Sequence, residues 1–286
     1  MAAILSVRAI KRKVRSVGNI KKITRAMQMV AAAKLKKVQA RLMELRPYSD
    51  KIREFLQGLA VQVKDLNHPL FQPRKKVRKI GVVVVMADKG LCGSYNANMM
   101  RFVLRFLDEQ KKPYEAVAIG RKAVDGFRKQ GVKPKAEYSG LPTEVPFSRI
   151  KSMTKGLVEM FLSGEVDEVH LLFTRYVNAL TFKPGVVKFL PIEPDVSTLS
   201  REIEFEPEPA RILDKLIPRY VEVSFHRLLL ESMSSEHAAR MNAMKNATDS
   251  AKEIIETLTL QYNNARQAGI TRELLDIIGG AEALKG

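Results

Sequence analysis

Cysteine, tryptophan and long apolar runs are scarce in this chain. The cysteine count and the lack of long apolar runs argue against two classes of protein. One cysteine in 286 residues leaves no disulfide framework within the chain and is typical of a reducing compartment. Tryptophan is absent. No apolar run approaches the roughly 20 residues that a membrane-spanning helix needs. The composition therefore argues against a disulfide-stabilised secreted domain and against a chain that crosses a bilayer by itself.

Acidic residues are missing from the start of the chain, where the first is Glu44. The net charge is +18, and residues 1–58 hold 15 Lys/Arg against 3 Asp/Glu. Three hypotheses fit such a segment: a mitochondrial transit peptide, a nucleic-acid-binding arm, or a coiled-coil flank that faces solvent or a partner. The absence of aromatic residues before Tyr48 weakens the second, and a helical pattern that continues past residue 40 weakens the first. We favour the third.

Proline and glycine are absent between Tyr220 and Arg266, where the chain has its most regular helical pattern. Apolar or small residues recur there at alternating spacings of three and four, which is the seam of a heptad repeat. Nearly 60 helical residues, from Tyr220 to Ile278, would extend roughly 85–90 Å, so most of this helix must leave its domain and find a facing helix. The seam residues are Met241, Met244, Thr248, Ala251, Ile255, Leu258, Tyr262 and Ala265.

The N-terminal segment has a similar pattern and lacks proline before Pro47. Its spacing includes two successive steps of three, which predicts local overwinding, and one step of five across residues 31–33. We therefore predict an antiparallel coiled coil of residues 1–58 and 209–286, attached to an α/β domain of residues 59–208. The predicted seam is Val7, Ile10, Val14, Val17, Ile20, Ile23, Met27, Val30, Leu35, Val38, Leu42 and Leu45.

The middle of the chain alternates between short apolar runs and helical segments. The run IGVVVVMAD, residues 80–88, is typical of a buried parallel strand. Strands near 115–119, 135–138, 168–176 and 182–190 alternate with helices over 97–110, 121–130 and 148–162, the last two strands being antiparallel. This order predicts an open, Rossmann-like sheet. The fold class is thus α/β plus long helices. Residues 201–209 form a predicted acidic hinge, and Pro218 is expected to cap or kink the start of the last helix.

The turn GLCG, after the first predicted strand, is the place where an α/β protein could bind phosphate. The glycine-rich phosphate-binding motifs are missing, however, and the four histidines are scattered. Cys92 could have a lowered pKa near a helix start. Asp88 and Lys89 could orient a ligand, although capping of the following helix is the stronger interpretation. We predict no catalytic residue, no cofactor and no metal site.

Five motifs resemble the γ subunit of F-type ATP synthases, in order and over the whole chain. They are KKITRAMQMVAAAKLKK (21–37), ADKGLCGSYN (87–96), TRYVNALTFKP (174–184), SSEHAARMNAMKNATDSAKEII (234–255) and YNNARQAGITRELLDIIGGAEAL (262–284). The chloroplast branch carries a cysteine-bearing insert that this chain lacks, so the bacterial branch is indicated.

The resemblance implies a non-catalytic rotor shaft. The coiled coil would turn inside a ring of α and β subunits, with its base and the ε subunit on the c ring of the membrane sector. Rotation driven by ion flow would then couple to ATP synthesis or hydrolysis in the β subunits. The protein would lie at the cytoplasmic face of the bacterial inner membrane, held there through the complex. The resemblance implies ring contacts at Arg25, Met27, Arg240, Arg266, Gln267 and Thr271, although Met27 equally fits an ordinary seam position.

Two alternatives from other classes remain open on the sequence alone. One is a basic coiled-coil protein that binds nucleic acid, for which steep salt dependence of binding would be the sign. The other is an α/β nucleotide-binding enzyme with helical arms, for which ATP binding by the isolated chain would be the sign. The shaft hypothesis expects no nucleic-acid partner and no ATP binding by this chain.

Overall fold

A computed structural model describes residues 7–62, 68–193 and 209–283. Two long helices, α1 and α5, flank a domain of five strands and three helices. In chain order the elements are α1 (Val7–Gln62), β1 (Ile80–Val85), α2 (Tyr95–Gln110), β2 (Tyr114–Ile119), α3 (Arg121–Lys129), β3 (Ala136–Tyr138), α4 (Phe147–Leu162), β4 (Glu168–Tyr176), β5 (Phe182–Leu190) and α5 (Pro209–Ala283).

The five strands form one sheet in the order β3-β2-β1-β4-β5. The first four strands are parallel, and β5 is antiparallel to β4. All six residues of β1 are buried, because helices cover both faces of the sheet. The predicted Rossmann-like domain is confirmed, with most element ends within two residues of the predicted ones. The exception is β1, which ends at Val85 rather than at residue 88.

Two hydrophobic clusters cover the two faces of the sheet. On one face, α2 and α3 pack on β1 and β2 through residues such as Met99 and Phe127. On the other face, α4 packs beside parts of α1 and α5, with Leu56 and Phe225 in the same cluster. Successive side chains of β4 point to opposite faces of the sheet, so Leu172 belongs to the first cluster and Leu171 to the second.

Contacts divide the chain into two compact units, one of residues 1–30 with 241–286 and one of residues 31–240. In the second unit the two long helices are antiparallel, since His237 senses the charge of Lys34 while Arg227 donates to Asp50 at 3.3 Å. The predicted segment boundaries at residues 58 and 208 stay a prediction. The predicted hinge lies, apart from Pro209, outside the described residues.

The seam of α5 is confirmed from Met241 to Ala265, because all eight predicted residues are buried or half-buried. The predicted start of the helix is wrong. Helix α5 begins at Pro209 and continues through Pro218. Proline is well tolerated in the first turn of a helix. The interior proline is tolerated because its neighbours Leu213, Ile217 and Val221 are buried in the domain core.

The predicted seam of α1 is partly wrong. Ile20, Ile23 and Val30 are 50%, 59% and 57% exposed. The buried or half-buried line instead keeps a regular alternation of four and three through positions 10, 14, 17, 21, 24, 28, 31, 35, 38, 42 and 45. It needs neither the overwound step nor the step of five. Hydrophobicity misled the prediction because this stretch of the seam consists of Lys21, Thr24, Gln28 and Ala31, and a long polar side chain can bury its apolar stem while its polar end stays in solvent.

A buried polar pair lies within the first unit. The hydroxyl groups of Thr248 and Thr24 are hydrogen-bonded to each other at 2.8 Å, and both residues are 8% exposed. The carbonyl oxygens of Met244 and Lys21 lie 2.8 and 3.1 Å from the Thr248 and Thr24 hydroxyls, and one of them accepts the remaining hydroxyl hydrogen. A buried polar contact in a helix seam favours one axial register, because any shift leaves polar groups without partners.

Substituting Ala31 with leucine tests the revised seam. Ala31 is 2% exposed, so Ala31→Leu should overpack the helix pair and lower the free energy of unfolding by about 1–3 kcal/mol. Ala33 is exposed two residues away, and Ala33→Leu should change it by less than about 0.5 kcal/mol. Urea unfolding followed by circular dichroism measures both. Equal losses in the two variants would contradict the revised seam.

Candidate functional site

Five of the six predicted contact residues lie in the first unit. Arg25, Arg266, Gln267 and Thr271 are exposed, and Met27 is half-buried on the edge of the α1 seam. The Thr271 hydroxyl donates to the carbonyl of Gln267 at 3.0 Å, one turn earlier in the helix. Four of the five side chains are thus open to solvent within this chain. Their contact with other subunits stays a prediction.

Apolar side chains are exposed around these residues. Ile20, Ile23 and Val30 project from α1 close to Arg25 and Met27. Beyond Ala265, the only residue of α5 up to 281 that is not exposed is Gly269. That stretch leaves Ile270, Leu274, Leu275, Ile277 and Ile278 between 50% and 67% exposed. Contiguous exposed apolar residues of this kind mark an interaction surface.

Arg240, the sixth predicted residue, belongs to the second unit and is largely enclosed, with a side chain that is 13% exposed. Its guanidinium donates to Glu236 at 2.7 Å. It also donates to the carbonyls of Lys89 and Gly90, at 3.1 and 3.3 Å. This arginine therefore ties α5 to the GLCG turn. The turn holds Leu91 at a φ of 60°, a left-handed conformation that is uncommon outside glycine, with its side chain 62% exposed.

Buried hydroxyl groups join α5 to the same end of the sheet. The Tyr95 hydroxyl bonds the Ser232 hydroxyl at 2.9 Å, and Ser235 donates to the carbonyl of Thr174 at 3.0 Å. All four residues are at most 2% exposed. Sequence reasoning missed this network. The available signal was the run ESMSSEH, which places polar residues where a buried helix would carry apolar ones.

Burial shifts the ionisation of the groups beside this network. It raises the pKa of Glu236 and of Tyr95 above their ordinary values, although Arg240 opposes the shift at Glu236. Burial, together with the charges of Arg240 and Lys34, lowers the pKa of His237 to about 4. His237 is therefore neutral at pH 7, and the cationic charge here is that of Arg240.

The carboxyl ends of β1 and β4 flank the place where the strand order reverses, which is where open α/β sheets bind ligands. Here α5 covers that place, since Ser235 bonds the carbonyl of Thr174 in β4. Beside it, at the ends of β1 and β2, Ser232 and Glu236 of α5 line a cavity of about 30 Å³. Ligand sites usually measure about 300–1,000 Å³. The cavity next to the GLCG turn is thus too small for a nucleotide.

Asp88 lines the same cavity and acts as a cap. Its carboxylate accepts the backbone N–H groups of Arg121, Gly140 and Leu141 at 2.9–3.2 Å. Capping was expected, but the capped helix is α3 rather than the following helix α2. Gly120 precedes α3 at a φ of 92°, where a Cβ would lie 2.0 Å from the carbonyl oxygen of Met86.

The expectation of a reactive thiol is wrong. Cys92 is 2% exposed, and its sulfur accepts an N–H of Asn96 at 3.0 Å. Burial raises the pKa of the thiol, although Arg240 opposes the shift. Within residues 7–62, 68–193 and 209–283, no three His, Cys, Asp or Glu side chains are grouped as a metal would need, and no helix has the length and hydrophobicity to span a membrane.

Comparison with known proteins gives a consistent result. A model of the ATP synthase protein family matches residues 6–284. The ATP synthase gamma chain of Symbiobacterium thermophilum is 42% identical over 98% of both chains, and that of Dehalococcoides mccartyi strain 195 is 45% identical over 98% of this chain and 99% of its own.

Solved structures share the fold. A chain of the Tetrahymena thermophila mitochondrial ATP synthase, from its central stalk and c ring, superposes with a TM-score of 0.60 at 25% identity, covering 79% of this chain and 99% of its own. A chain of the Euglena gracilis mitochondrial ATP synthase superposes with a TM-score of 0.68 at 19% identity, covering 97% and 94%.

Removing the charge of Arg240 tests its enclosed position. Arg240→Met leaves Glu236 without its partner and should lower the free energy of unfolding by about 2–3 kcal/mol, somewhat less than for a fully buried pair. Arg240→Met with Glu236→Gln should recover most of that loss, and Arg266→Met at an exposed site should cost less than about 0.5 kcal/mol. Urea unfolding measures all three variants. If Arg240→Met lowered the free energy of unfolding no more than Arg266→Met does, the enclosed, paired position of Arg240 would be contradicted.

Proposed function

This chain belongs to the ATP synthase gamma-chain family, and we propose that it works as the central rotor shaft of an F-type enzyme. Rotation of a membrane c ring, driven by ion flow, would be transmitted by α1 and α5 to catalytic sites in a ring of α and β subunits. The observation that supports this most directly is the end of α5. A helix of 75 residues extends about 110 Å. Its last turns expose apolar residues that the described part of this chain does not cover.

We assign these last turns to a sleeve formed by the ring. Five large apolar side chains lie between Ile270 and Ile278, with only Arg272, Glu273 and Asp276 as charged residues. Such a surface favours a dry, weakly charged contact that a turning shaft can slide against. Arg266 and Gln267 precede it and Thr271 lies within its first turn, and all three offer polar groups to the ring.

We assign the basic face of α1 to the β subunits. No acid occurs before Glu44, so cations such as Arg25 face outward without neighbouring carboxylates on α1. Attraction to acidic loops would let the ring and the shaft push on each other. Each of these contacts must also break at every rotational step. Exposed ion pairs, worth about 0.2–1 kcal/mol each, are weak enough for that. Met27 lies at the border of this face and the seam.

We assign no catalytic role to the chain. The ligand-binding position of its sheet is filled by α5, and Arg240 there holds the GLCG turn. In this proposal Arg240 acts on the ring through that turn, which presents Leu91 outward. The ε subunit and the c ring would bind the base, and the protein would be peripheral at the cytoplasmic face of a bacterial inner membrane.

Co-purification is the test of the function. The tagged chain is expressed with α and β subunits of the same enzyme, and the purified particle is assayed for ATP hydrolysis. We expect both subunits to purify with the tag and hydrolysis to depend on this chain. A stable chain that ignores both subunits, or that binds nucleic acid with steep salt dependence, would overturn the proposal.

Substituting Met27 with lysine tests the assigned contact on α1. Met27→Lys adds a cation at the border of the contact face, so ion-driven ATP synthesis should fall several-fold while the complex still assembles. Met43, which is 73% exposed on the same helix, provides the control, and Met43→Lys should leave synthesis unchanged. Synthesis in inverted membrane vesicles and subunit composition measure the two effects. An assembled Met27→Lys complex with unchanged synthesis would contradict the assignment.

A further inference from the structure

The amino-terminal edge of the sheet gathers cations from separate parts of the chain. Because β1 to β4 are parallel, the residues that precede these strands meet at one edge. The register places Ile80 opposite Tyr114 and Val117 opposite Ala136. The residues immediately before β1 and β2 are therefore neighbours along this edge, whereas β3 starts three residues further along β2, so Lys133, three residues before β3, approaches the same edge.

Those preceding residues are strongly basic. Five of the six residues from Arg74 to Lys79 are Lys or Arg, and lysines also occupy positions 111, 112 and 133. Six of these side chains have no hydrogen bond or ion pair to any residue in the described part of the chain. We call them the amino-edge patch: Lys75, Lys76, Arg78, Lys111, Lys112 and Lys133.

Several carboxylates of this edge are already engaged. Glu115 pairs with Lys79 at 2.5 Å, and Glu165 pairs with Lys135. Asp167 accepts the backbone N–H groups of Arg78 and Lys79 at 2.7 and 3.1 Å. These acids fix the loop and the strand ends. They do not neutralise the amino-edge patch, five of whose six residues are exposed, with Lys112 half-buried.

The loop that carries the patch is also held in place. Arg74 donates to the carbonyl of Phe161 at 3.1 Å, and its guanidinium lies 5.4 Å from the centre of the Phe161 ring. The next residue, Leu162, ends α4 with 47% of its side chain exposed. The edge therefore combines fixed cations with one exposed apolar side chain, a combination typical of surfaces that bind membrane interfaces.

The position of this edge along α1 also bears on its partner. Gln39 bonds the Tyr176 hydroxyl at 2.6 Å, at the carboxyl end of β4. Further along α1, Arg53 and Gln57 line a groove that runs from Tyr176 to Ile192 and Glu193, which follow the end of β5 at the opposite edge. The amino-terminal edge thus lies toward the C-terminal end of α1, away from Arg25 and Met27, which the shaft proposal assigns to the ring, and that end is therefore the base of the shaft.

We propose that the amino-edge patch binds the anionic headgroups of the membrane surface directly. This inference rests on the proposed function, which brings the base of the shaft close to the bilayer. A cation near an anionic bilayer increases affinity about fivefold, so six of them suffice for a measurable contact although each is weak. Tyr114, the aromatic residue beside Lys112 at this edge, is half-buried against the cluster that α2 and α3 form with the sheet, which favours the lipid over a single-stranded nucleic acid whose bases need an open ring to stack on.

The test uses the particle assembled from this chain with α and β subunits, which covers the basic face of α1. Binding is measured by flotation with vesicles of phosphatidylcholine alone and of phosphatidylcholine mixed with phosphatidylglycerol. We expect binding only to the anionic vesicles, weakening as salt rises. The triple variant Lys75→Gln, Lys76→Gln, Arg78→Gln should lower the partition coefficient at least about tenfold. Leu162→Ser should lower it a few-fold at unchanged charge.

A matched triple variant controls for net charge. Arg121→Gln, Arg149→Gln and Lys151→Gln remove three exposed cations from the first turns of α3 and α4, at the other edge of the sheet. This variant should bind anionic vesicles nearly as the parent does. Equal losses in both triple variants, no binding by the parent, or a stronger patch-dependent affinity for DNA than for vesicles would overturn the inference. Because subunit composition and hydrolysis are measured on the same particles, failure to assemble would instead count against the shaft proposal.

Discussion

Burial of one continuous stripe along α5 is the constraint on which the rest of the structure depends. A helix of 75 residues cannot be enclosed by a domain of this size, so it needs a second helix along its seam. Pairing the first and last segments of the chain meets that need. It also limits where the intervening sheet can form. Because the two helices are antiparallel, the chain leaves α1 and enters α5 at the same end of the helix pair.

The sheet is joined to α5 by polar contacts as well as by apolar packing. Ser232 and Ser235 bond the backbone of Thr174, and Arg240 bonds that of Lys89, so two backbone segments at the carboxyl edge are held, and a shift of the helix by one residue would break these bonds. Apolar packing alone would permit sliding, since it is not directional. The network therefore favours a rigid joint, which a shaft that transmits torque requires.

The two edges of the sheet serve different purposes in our proposals. The carboxyl edge is filled by α5 and presents a strained turn outward, toward the assigned ring contact. The amino edge concentrates unpaired cations and faces the assigned base. The four parallel strands make this division possible, because they start at one edge of the sheet and end at the other.

The sequence by itself determined the two long helices, the order of the strands and the α5 seam, because these depend on local periodicity and on turn residues. It misplaced the α1 seam at Ile20, Ile23 and Val30, because which face of a helix is buried depends on the approach of its partner. The capping of α3 by Asp88, the enclosure of Arg240 and the patch at the amino edge were likewise decided only in the tertiary structure. Each joins residues at least about thirty positions apart, and such contacts leave no periodic signal in the chain.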